Sequence, residues 1–209
     1  PTFFFFFEAL DYSGGQFDRL SNIFFTLNSA ETCDEMQKIA QEVSPLLTAF
    51  SNDIALNEEL FKRVKAVYDQ KDTLTLTTEQ TTLLDKKFKG FSRNGALLNE
   101  EDKLKLREID TELAKVKLTF GENVLAETNN FQLHITNEAD LKGLPDGAKE
   151  MAASLAKSKN LEGWVFTLDF PSYLPFVTYV ENRELRKEIA IAAGKKAFQG
   201  NEFDNQENV

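Results

Sequence analysis

The chain has 209 residues, 34 of them acidic and 24 basic, and a formal net charge of −10. This acidity argues against a nucleic-acid-binding protein, which would concentrate basic residues on one face. No apolar run approaches the roughly 20 residues that a membrane helix needs, so we expect no membrane partner either. One cysteine cannot form an internal disulfide, and such a composition suits a reducing compartment such as the cytoplasm.

Apolar residues recur at spacings of three and four through most of the first 130 residues, which predicts a series of amphipathic helices. The first is expected to contain Gly14 and Gly15 and to bury the stripe that begins at Phe17. The second is expected to open with a Thr32–Glu35 capping box and to bend at Pro45 without breaking. The expected buried residues are Phe17, Leu20, Phe24 and Leu27 in the first helix, and Met36, Ile39, Val43, Leu47, Phe50 and Ile54 in the second.

Three more helices follow before residue 130. Asn57 is expected to cap the third, and Thr77 with Gln80 to open the fourth, which ends at Asn94-Gly95 because glycine adopts the left-handed conformation at low cost. The fifth and longest helix is predicted over residues 99–127. Its expected buried stripe is Leu106, Ile109, Leu113, Val116, Phe120 and Val124.

After residue 130 the apolar period changes from 3.6 to 2. Alternating residues over 131–136 and 164–168 predict two strands, with a helix from Pro145 to Lys157 between them. His134 lies on the polar side of the first strand, so we expect it to be a surface or hydrogen-bonded residue. Trp164, Phe166 and Leu168 are expected to pack a sheet face on helices.

The last part of the chain predicts two short helices. Ser172 is expected to cap one of them, and Asn182 to cap a second that ends near Gly194. Residues 204–209 look like a helix start with no helix after it, so we expect the natural chain to continue beyond Val209. The predicted fold is mainly α, with a helical region over 1–130 and a small α/β annex with following helices over 131–209.

Histidine and cysteine, two of the usual zinc ligands, occur once each in the chain. A catalytic zinc needs three protein ligands and an open position for water, but the chain has one histidine, His134, and one cysteine, Cys33. A His-Glu-x-x-His helix, which places two imidazoles on one face, is impossible with these residues. We therefore expect no catalytic residue and no bound metal in this chain.

Three blocks carry a family resemblance. They are Ile23 to Leu47, Ser51 to Val64, and Gly163 to Ile189 with its Asn182–Arg186 run. In order and spacing they resemble the thimet-oligopeptidase-like zinc peptidases, most of all the bacterial peptidyl-dipeptidases (dipeptidyl carboxypeptidases), with oligopeptidase A and neurolysin as relatives. The resemblance covers essentially the whole chain.

The resemblance implies more than these residues contain. Members of that family are two-lobed helical peptidases with a deep channel, and their zinc site would lie beyond Val209. The chain would then be an N-terminal lobe that forms one wall of the channel. Its partners would be short peptides and the missing catalytic lobe, and zinc would be the cofactor of the full-length parent. The alternatives are a non-enzymatic helical interaction module and an endopeptidase similar to oligopeptidase A.

Three residues are candidates for the substrate channel. Tyr173 and Tyr179 could present hydroxyls to a peptide, although aromatic residues at helical spacing are also typical of a core. Arg93 could contact a peptide carboxylate, although Ser92–Gly95 also resembles an ordinary loop at a helix end.

The chain departs from the family at two places. Cys33 stands where relatives commonly have Asn, and we interpret it as an ordinary helix residue. Phe3 to Phe7 are five consecutive phenylalanines. Because neighbouring helix positions are about 100° apart, some of these rings must face solvent or a partner. The run indicates either docking against a missing segment or an error in the sequence at this terminus.

Overall fold

A computed structural model describes residues 2–209, apart from the side chain of Phe5. The fold is mainly helical with one small two-stranded antiparallel sheet, which confirms the predicted fold class. The chain forms two compact units, residues 1–118 and 119–209. Within residues 2–209, no helix has the length and apolar character that crossing a membrane requires.

The first unit is entirely helical among its described residues. A π-helical turn over Phe3–Glu8 precedes the α-helices, and a 3₁₀ turn over Lys71–Thr73 connects two of them. The α-helices are α1 (Ala9–Tyr12), α2 (Gly15–Ala30), α3 (Asp34–Ala55), α4 (Glu58–Tyr68), α5 (Thr78–Arg93) and α6 (Glu100–Asn130), and the boundary between the two units falls inside α6.

The core of the first unit is formed mainly by α4 and α5. Tyr68 stacks on Phe88 with ring centroids 3.9 Å apart, and Phe61 stacks on Phe88 at 5.8 Å. Such aromatic pairs stabilise a core beyond the area that they bury. The fully or nearly fully buried members of this core are Phe3, Phe7, Phe61, Val64, Val67, Leu84, Phe91 and Ala96.

Two predicted helix starts are confirmed. The Asn57 side chain accepts a hydrogen bond from the Leu60 amide at 2.8 Å. Thr77 and Gln80 form a reciprocal capping box, in which each side chain bonds the other residue's backbone amide. Each cap satisfies backbone donors that the helix itself leaves free, so α4 and α5 begin where the sequence predicts.

Two other predictions about helix starts are wrong. Gly14 does not lie inside a helix, because its φ of +86° places it in the left-handed region that separates α1 from α2. The Thr32–Glu35 capping box does not form. Cys33 is an exposed residue before the first turn of α3, and the Thr32 hydroxyl donates to Asn28 Oδ1 at 2.8 Å instead.

The phenylalanine run divides between core and surface. Phe3 and Phe7, four positions apart, are buried with their rings stacked at 5.5 Å, whereas Phe4 is 56% exposed. The expectation that the rings cannot share one face is confirmed for these residues. Docking against a missing segment is not needed for Phe3 and Phe7, since they pack into the core of their own unit.

Of the sixteen residues predicted to be buried in the long helices, eight are exposed and eight are partly buried. In α2, Leu20 is 69% exposed, and in α6, Ile109 is 60% exposed. The amphipathic pattern is therefore present, but much of its apolar face has no cover among the described residues. The exposed large apolar residues of these helices include Phe17, Leu20, Ile23 and Leu27 of α2, Ile39, Leu46, Phe50 and Ile54 of α3, and Leu104, Ile109 and Leu113 of α6.

The second unit combines a sheet with helices. Its antiparallel sheet pairs β1 (Leu133–Ile135) with β2 (Trp164–Phe166), with Leu133 opposite Phe166, which confirms the two predicted strands. The helices are α7 (Asp146–Ser158), α8 (Phe170–Tyr179) and α9 (Arg183–Gly194), with 3₁₀ turns over Glu138–Leu141 and Gln206–Asn208.

The sheet packs its buried face against α7 and α8. Phe166 and Phe176 lie with ring centroids 4.5 Å apart, and both are buried. Trp164 is only partly buried but packs on the same core, so the predicted role of this strand in packing is confirmed. The buried members are Leu133, Ile135, Leu141, Leu144, Ala152, Phe166, Leu168, Phe176, Val180 and Ile189.

The two last α-helices differ in how they begin. Asn182 caps α9 as predicted, because its side chain accepts from the Glu184 and Leu185 amides. Ser172 does not cap α8. It lies inside that helix, which begins at Phe170, and its hydroxyl accepts a hydrogen bond from the Thr167 amide at 3.0 Å.

Asparagine side chains fix the end of the chain to the second unit. Asn205 is fully buried and donates to the carbonyl oxygen of Phe120 at 3.2 Å, while Asn123 donates to Asn205 Oδ1 at 3.0 Å. Glu127, also buried, accepts from Gln199 and Asn201. Buried polar groups that are hydrogen-bonded in this way specify one arrangement of a segment.

The buried half of the phenylalanine run is expected to be essential for stability. Phe7→Ala removes a fully buried ring and should lower the free energy of unfolding by about 3–5 kcal/mol, measured by urea denaturation. Phe4→Ala is the matched control and should change it by about 1 kcal/mol or less because Phe4 is mostly exposed. Equal effects of the two substitutions would contradict the placement of these rings.

Gly163 is expected to tolerate no side chain. Its φ is +86°, and a Cβ atom would lie 2.3 Å from the Ile135 carbonyl oxygen across the sheet. Gly163→Ala should lower the free energy of unfolding by about 2 kcal/mol or more. Gly147→Ala is the control, since Gly147 is in the first turn of α7 with open space around it. The free energy of unfolding of that variant should equal that of the unsubstituted 209-residue chain or exceed it by up to about 1 kcal/mol.

Candidate substrate groove

The two tyrosines predicted for a substrate channel lie on the same helix with different surroundings. Tyr173 is partly buried and packs against the core of the second unit, whereas Tyr179 is 53% exposed. Six positions on a helix correspond to about 240° of rotation, so the two hydroxyls do not share a helix face. Their role in a channel stays a prediction, and for Tyr173 the contacts are those of a core residue.

Arg93 is the last residue of α5 and is exposed within the first unit. It lines a groove of about 730 Å³ formed by α3, α5 and α6, with Phe25 of α2 at one side. The wall of the groove is apolar where Leu47, Leu106 and Leu113 face it. Ser51, Asn52 and Asn94 provide polar groups in the same wall.

A second hollow of about 470 Å³ continues this groove between α3 and α5. The two hollows share Ser51, Ala55 and Asn94. We call the joined depression the α3 groove, because the C-terminal half of α3 runs along it. Ile54, Leu83 and Phe91 line the second hollow together with Lys86 and Lys87.

An ion pair holds α6 against the end of α3 beside the groove. Arg107 Nη1 donates to Asp53 Oδ1 at 2.8 Å, and its Nη2 donates to the Asn52 carbonyl oxygen at 3.4 Å. The Asp53 side chain is 68% exposed, so the pair contributes little stability in water. Its geometric effect is to fix two walls of the groove relative to each other.

Asn52 is the unusual residue of this wall. It is only 7% exposed, and its Nδ2 donor has no hydrogen-bond partner among the described residues. A buried donor without an acceptor costs about 1–3 kcal/mol, and native proteins contain few of them. An acceptor brought by a bound molecule would remove this cost, so the residue marks the groove as a candidate binding site.

The groove is basic although the chain is acidic. Arg93, Lys117, Lys86 and Lys87 line it, and Asp110 is the one carboxylate among its described lining residues. Lys87 forms an ion pair with Asp11 at 2.9 Å. For the other three cations, the described residues offer no ion pair or hydrogen bond. A local excess of positive charge with apolar walls favours an anionic ligand.

Helical spacing explains why these three cations have no acidic partner on their own helices. Elsewhere Lys62 pairs with Glu58, four positions before it, and the hydrogen bonds that Lys62 donates to Glu58 and then to Glu59 raise the pKa of Lys62. Arg93, Lys86 and Lys117 have no Asp or Glu three or four positions away on either side. This spacing could have been read from the sequence, but only the structure brings the three cations to one groove.

No zinc site can be built from the described side chains. Residues 2–209 contain no group of three His, Cys, Asp or Glu side chains placed to hold a metal ion. His134 is exposed and its Nε2 lies 2.6 Å from the Glu162 carbonyl oxygen, which confirms the predicted surface, hydrogen-bonded role. The residues present do not fit the zinc that the family resemblance implies.

No protein-family model matches the chain, but curated proteins align with nearly all of it. Oligopeptidase A of Escherichia coli is 34% identical over 190 residues, which cover 91% of this chain and 27% of that protein. Dipeptidyl carboxypeptidase of Salmonella typhimurium is 34% identical over 199 residues, or 95% of this chain and 29% of that protein. The probable cytosolic oligopeptidase A of Arabidopsis thaliana is 30% identical over 198 residues, with 90% and 28% covered.

Two facts follow from these alignments. The chain spans somewhat more than a quarter of the length of these relatives, and all of them are named as peptidases. The predicted relationship to the thimet-oligopeptidase-like peptidases is confirmed, and the chain is homologous to one part of an oligopeptidase A or dipeptidyl carboxypeptidase.

Proposed function

We propose that this chain is the N-terminal part of a cytoplasmic zinc peptidase that hydrolyses short peptides and releases C-terminal dipeptides. In this proposal the chain forms one wall of the substrate channel and has no peptidase activity by itself. The observation that carries the proposal is the alignment with two kinds of bacterial peptidase over 91% and 95% of the chain.

The exposed apolar faces support a larger parent protein. Leu20, Leu46 and Ile109 are each at least 60% exposed although they continue the apolar stripes of their helices. Amphipathic helices gain most of their stability in proteins when such a face is packed against other elements. The remaining part of a longer peptidase would supply that cover, and it would also supply the zinc ligands that the described residues lack.

A second candidate function differs in where the peptidase cuts its substrate. Oligopeptidase A and dipeptidyl carboxypeptidase relatives are both 34% identical to the chain, so identity does not favour one specificity over the other. The alternative is an endopeptidase similar to oligopeptidase A, which would cut a long peptide internally. Product analysis by mass spectrometry separates the two, because a peptidyl-dipeptidase shortens its substrate two residues at a time from the carboxyl end.

The natural gene product provides the direct test. We expect its coding sequence to continue past Val209 and to encode a His-Glu-x-x-His motif, since this spacing places two zinc ligands and a general base on one helix. The full-length protein should hydrolyse N-blocked tripeptides, lose activity on chelation and recover it with zinc. The 209-residue chain alone should be inactive.

The control is a full-length variant in which the glutamate of that motif is replaced by glutamine. It should bind zinc but hydrolyse peptides at least about 100-fold more slowly, because general base catalysis contributes about 10²–10⁴-fold. A parent that lacks the motif, or that hydrolyses peptides equally well without a metal, would contradict the proposal. A chain that ends near residue 209 and binds other proteins would instead favour the helical interaction module.

A further inference from the structure

We propose that the α3 groove binds an extended acidic peptide segment. The ligand's carboxylates would pair with Arg93, Lys86 and Lys117, and one of its backbone carbonyl oxygens would accept a hydrogen bond from Asn52. The inference rests on the proposed function only in taking a peptide as the ligand. It assigns this part of the chain a preference for acidic side chains that is separate from the chemistry of hydrolysis.

The size of the groove suits a short extended segment. The groove-lining residues of α3 run from Ser44 to Ala55, and eleven helical steps of 1.5 Å span about 16 Å. An extended peptide advances about 3.3–3.6 Å per residue, so about five residues fit along this wall. Leu47, Leu106 and Leu113 provide apolar surface for the backbone and for small side chains between the carboxylates.

The charges favour a carboxylate-bearing ligand. Lys117 and Asp110 both line the groove on α6, but they are seven positions apart, or about 10 Å along the axis. This distance is too long for an ion pair, so Asp110 does not neutralise Lys117. Arg93 can bind a carboxylate with two parallel hydrogen bonds. Such contacts give specificity for acidic over neutral peptides.

Asn52 adds a requirement that charge alone does not impose. Its side chain lines the groove, is more than nine-tenths buried, and has an amide nitrogen without an acceptor among the described residues. A peptide carbonyl supplies the missing acceptor, whereas a simple inorganic anion attracted by the lysines has no backbone to place along the wall. The orphan donor therefore calls for an acceptor atom on the ligand, and the length of the groove along α3 favours a peptide over a small anion.

Fluorescence anisotropy with labelled peptides tests the inference on the 209-residue chain. The probe is a blocked peptide of about six alternating Gly and Glu residues, a length that spans the groove, and its Gly-Gln and Gly-Lys counterparts are the comparison. We expect the acidic probe to bind at least about 10-fold more tightly than the neutral one, and to weaken as salt is added because the contacts are ionic.

Charge variants locate the site. The double substitution Arg93→Gln with Lys117→Gln should weaken binding of the acidic probe about 10-fold or more, since each exposed ion pair contributes a few-fold. The matched control is Lys89→Gln with Lys115→Gln, which removes the same charge from the same two helices at exposed positions that do not line the groove. Equal weakening by the two double variants would overturn the proposal.

Asn52→Leu separates hydrogen bonding from charge. Leucine has a volume similar to that of asparagine, and the substitution removes a donor that has no partner. The variant should therefore unfold at the same urea concentration as the unsubstituted 209-residue chain or at a higher one. Its affinity for the acidic probe should fall about 5-fold or more, with an unchanged salt dependence. Unaltered affinity in a folded Asn52→Leu variant would overturn the role of this residue.

The remaining outcomes distinguish other occupants. Equal binding of a single-stranded oligonucleotide would show a general polyanion site and overturn the peptide assignment. Binding by the 209-residue chain but not by the full-length parent would mean that the remaining protein fills the groove, which also overturns the proposal. Peptidase activity of the parent is measured separately, so an inactive parent that binds the acidic probe contradicts the proposed function alone.

Discussion

An amphipathic helix in a protein gains most of its stability when its apolar face is covered, and the rest of this structure depends on where that cover comes from. In the first unit, α4 and α5 cover each other through Phe61, Tyr68 and Phe88, and the buried half of the phenylalanine run completes the same core. The faces of α2, α3 and α6 are far more exposed. The described part of the chain therefore combines a closed core with apolar helix faces that its own residues leave exposed.

Local sequence signals predicted local structure well. The long helix α6 begins one residue later and ends three residues later than its predicted range of 99–127, because its apolar period and acidic first turn are strong signals. Asn57 and Thr77 cap helices as predicted. Thr32 does not, since its hydroxyl bonds Asn28 in the preceding helix, and such competition between nearby partners is not visible in a four-residue motif.

Burial and the candidate site were harder to predict. Periodicity identified the apolar stripe of α2 but could not show that Leu20 has no partner within the described residues, because burial depends on the elements that surround a helix. Among the predicted channel residues, Arg93 lies on a groove, whereas Tyr173 packs in a core. Asn52 carries no sequence signal, since an asparagine with an unsatisfied donor looks like any other polar residue until its neighbours are placed.

The asparagine bonds near the carboxyl end have a practical consequence for domain dissection. The side chain of Asn205 is fully buried. It accepts a hydrogen bond from the side-chain amide of Asn123 and donates one to the Phe120 carbonyl oxygen. A recombinant boundary placed before this residue would strip α6 of both partners and open its flank to water. Trimming for crystallisation or solution spectroscopy should accordingly retain the peptide through Asn208, whose amide also donates to Asn205.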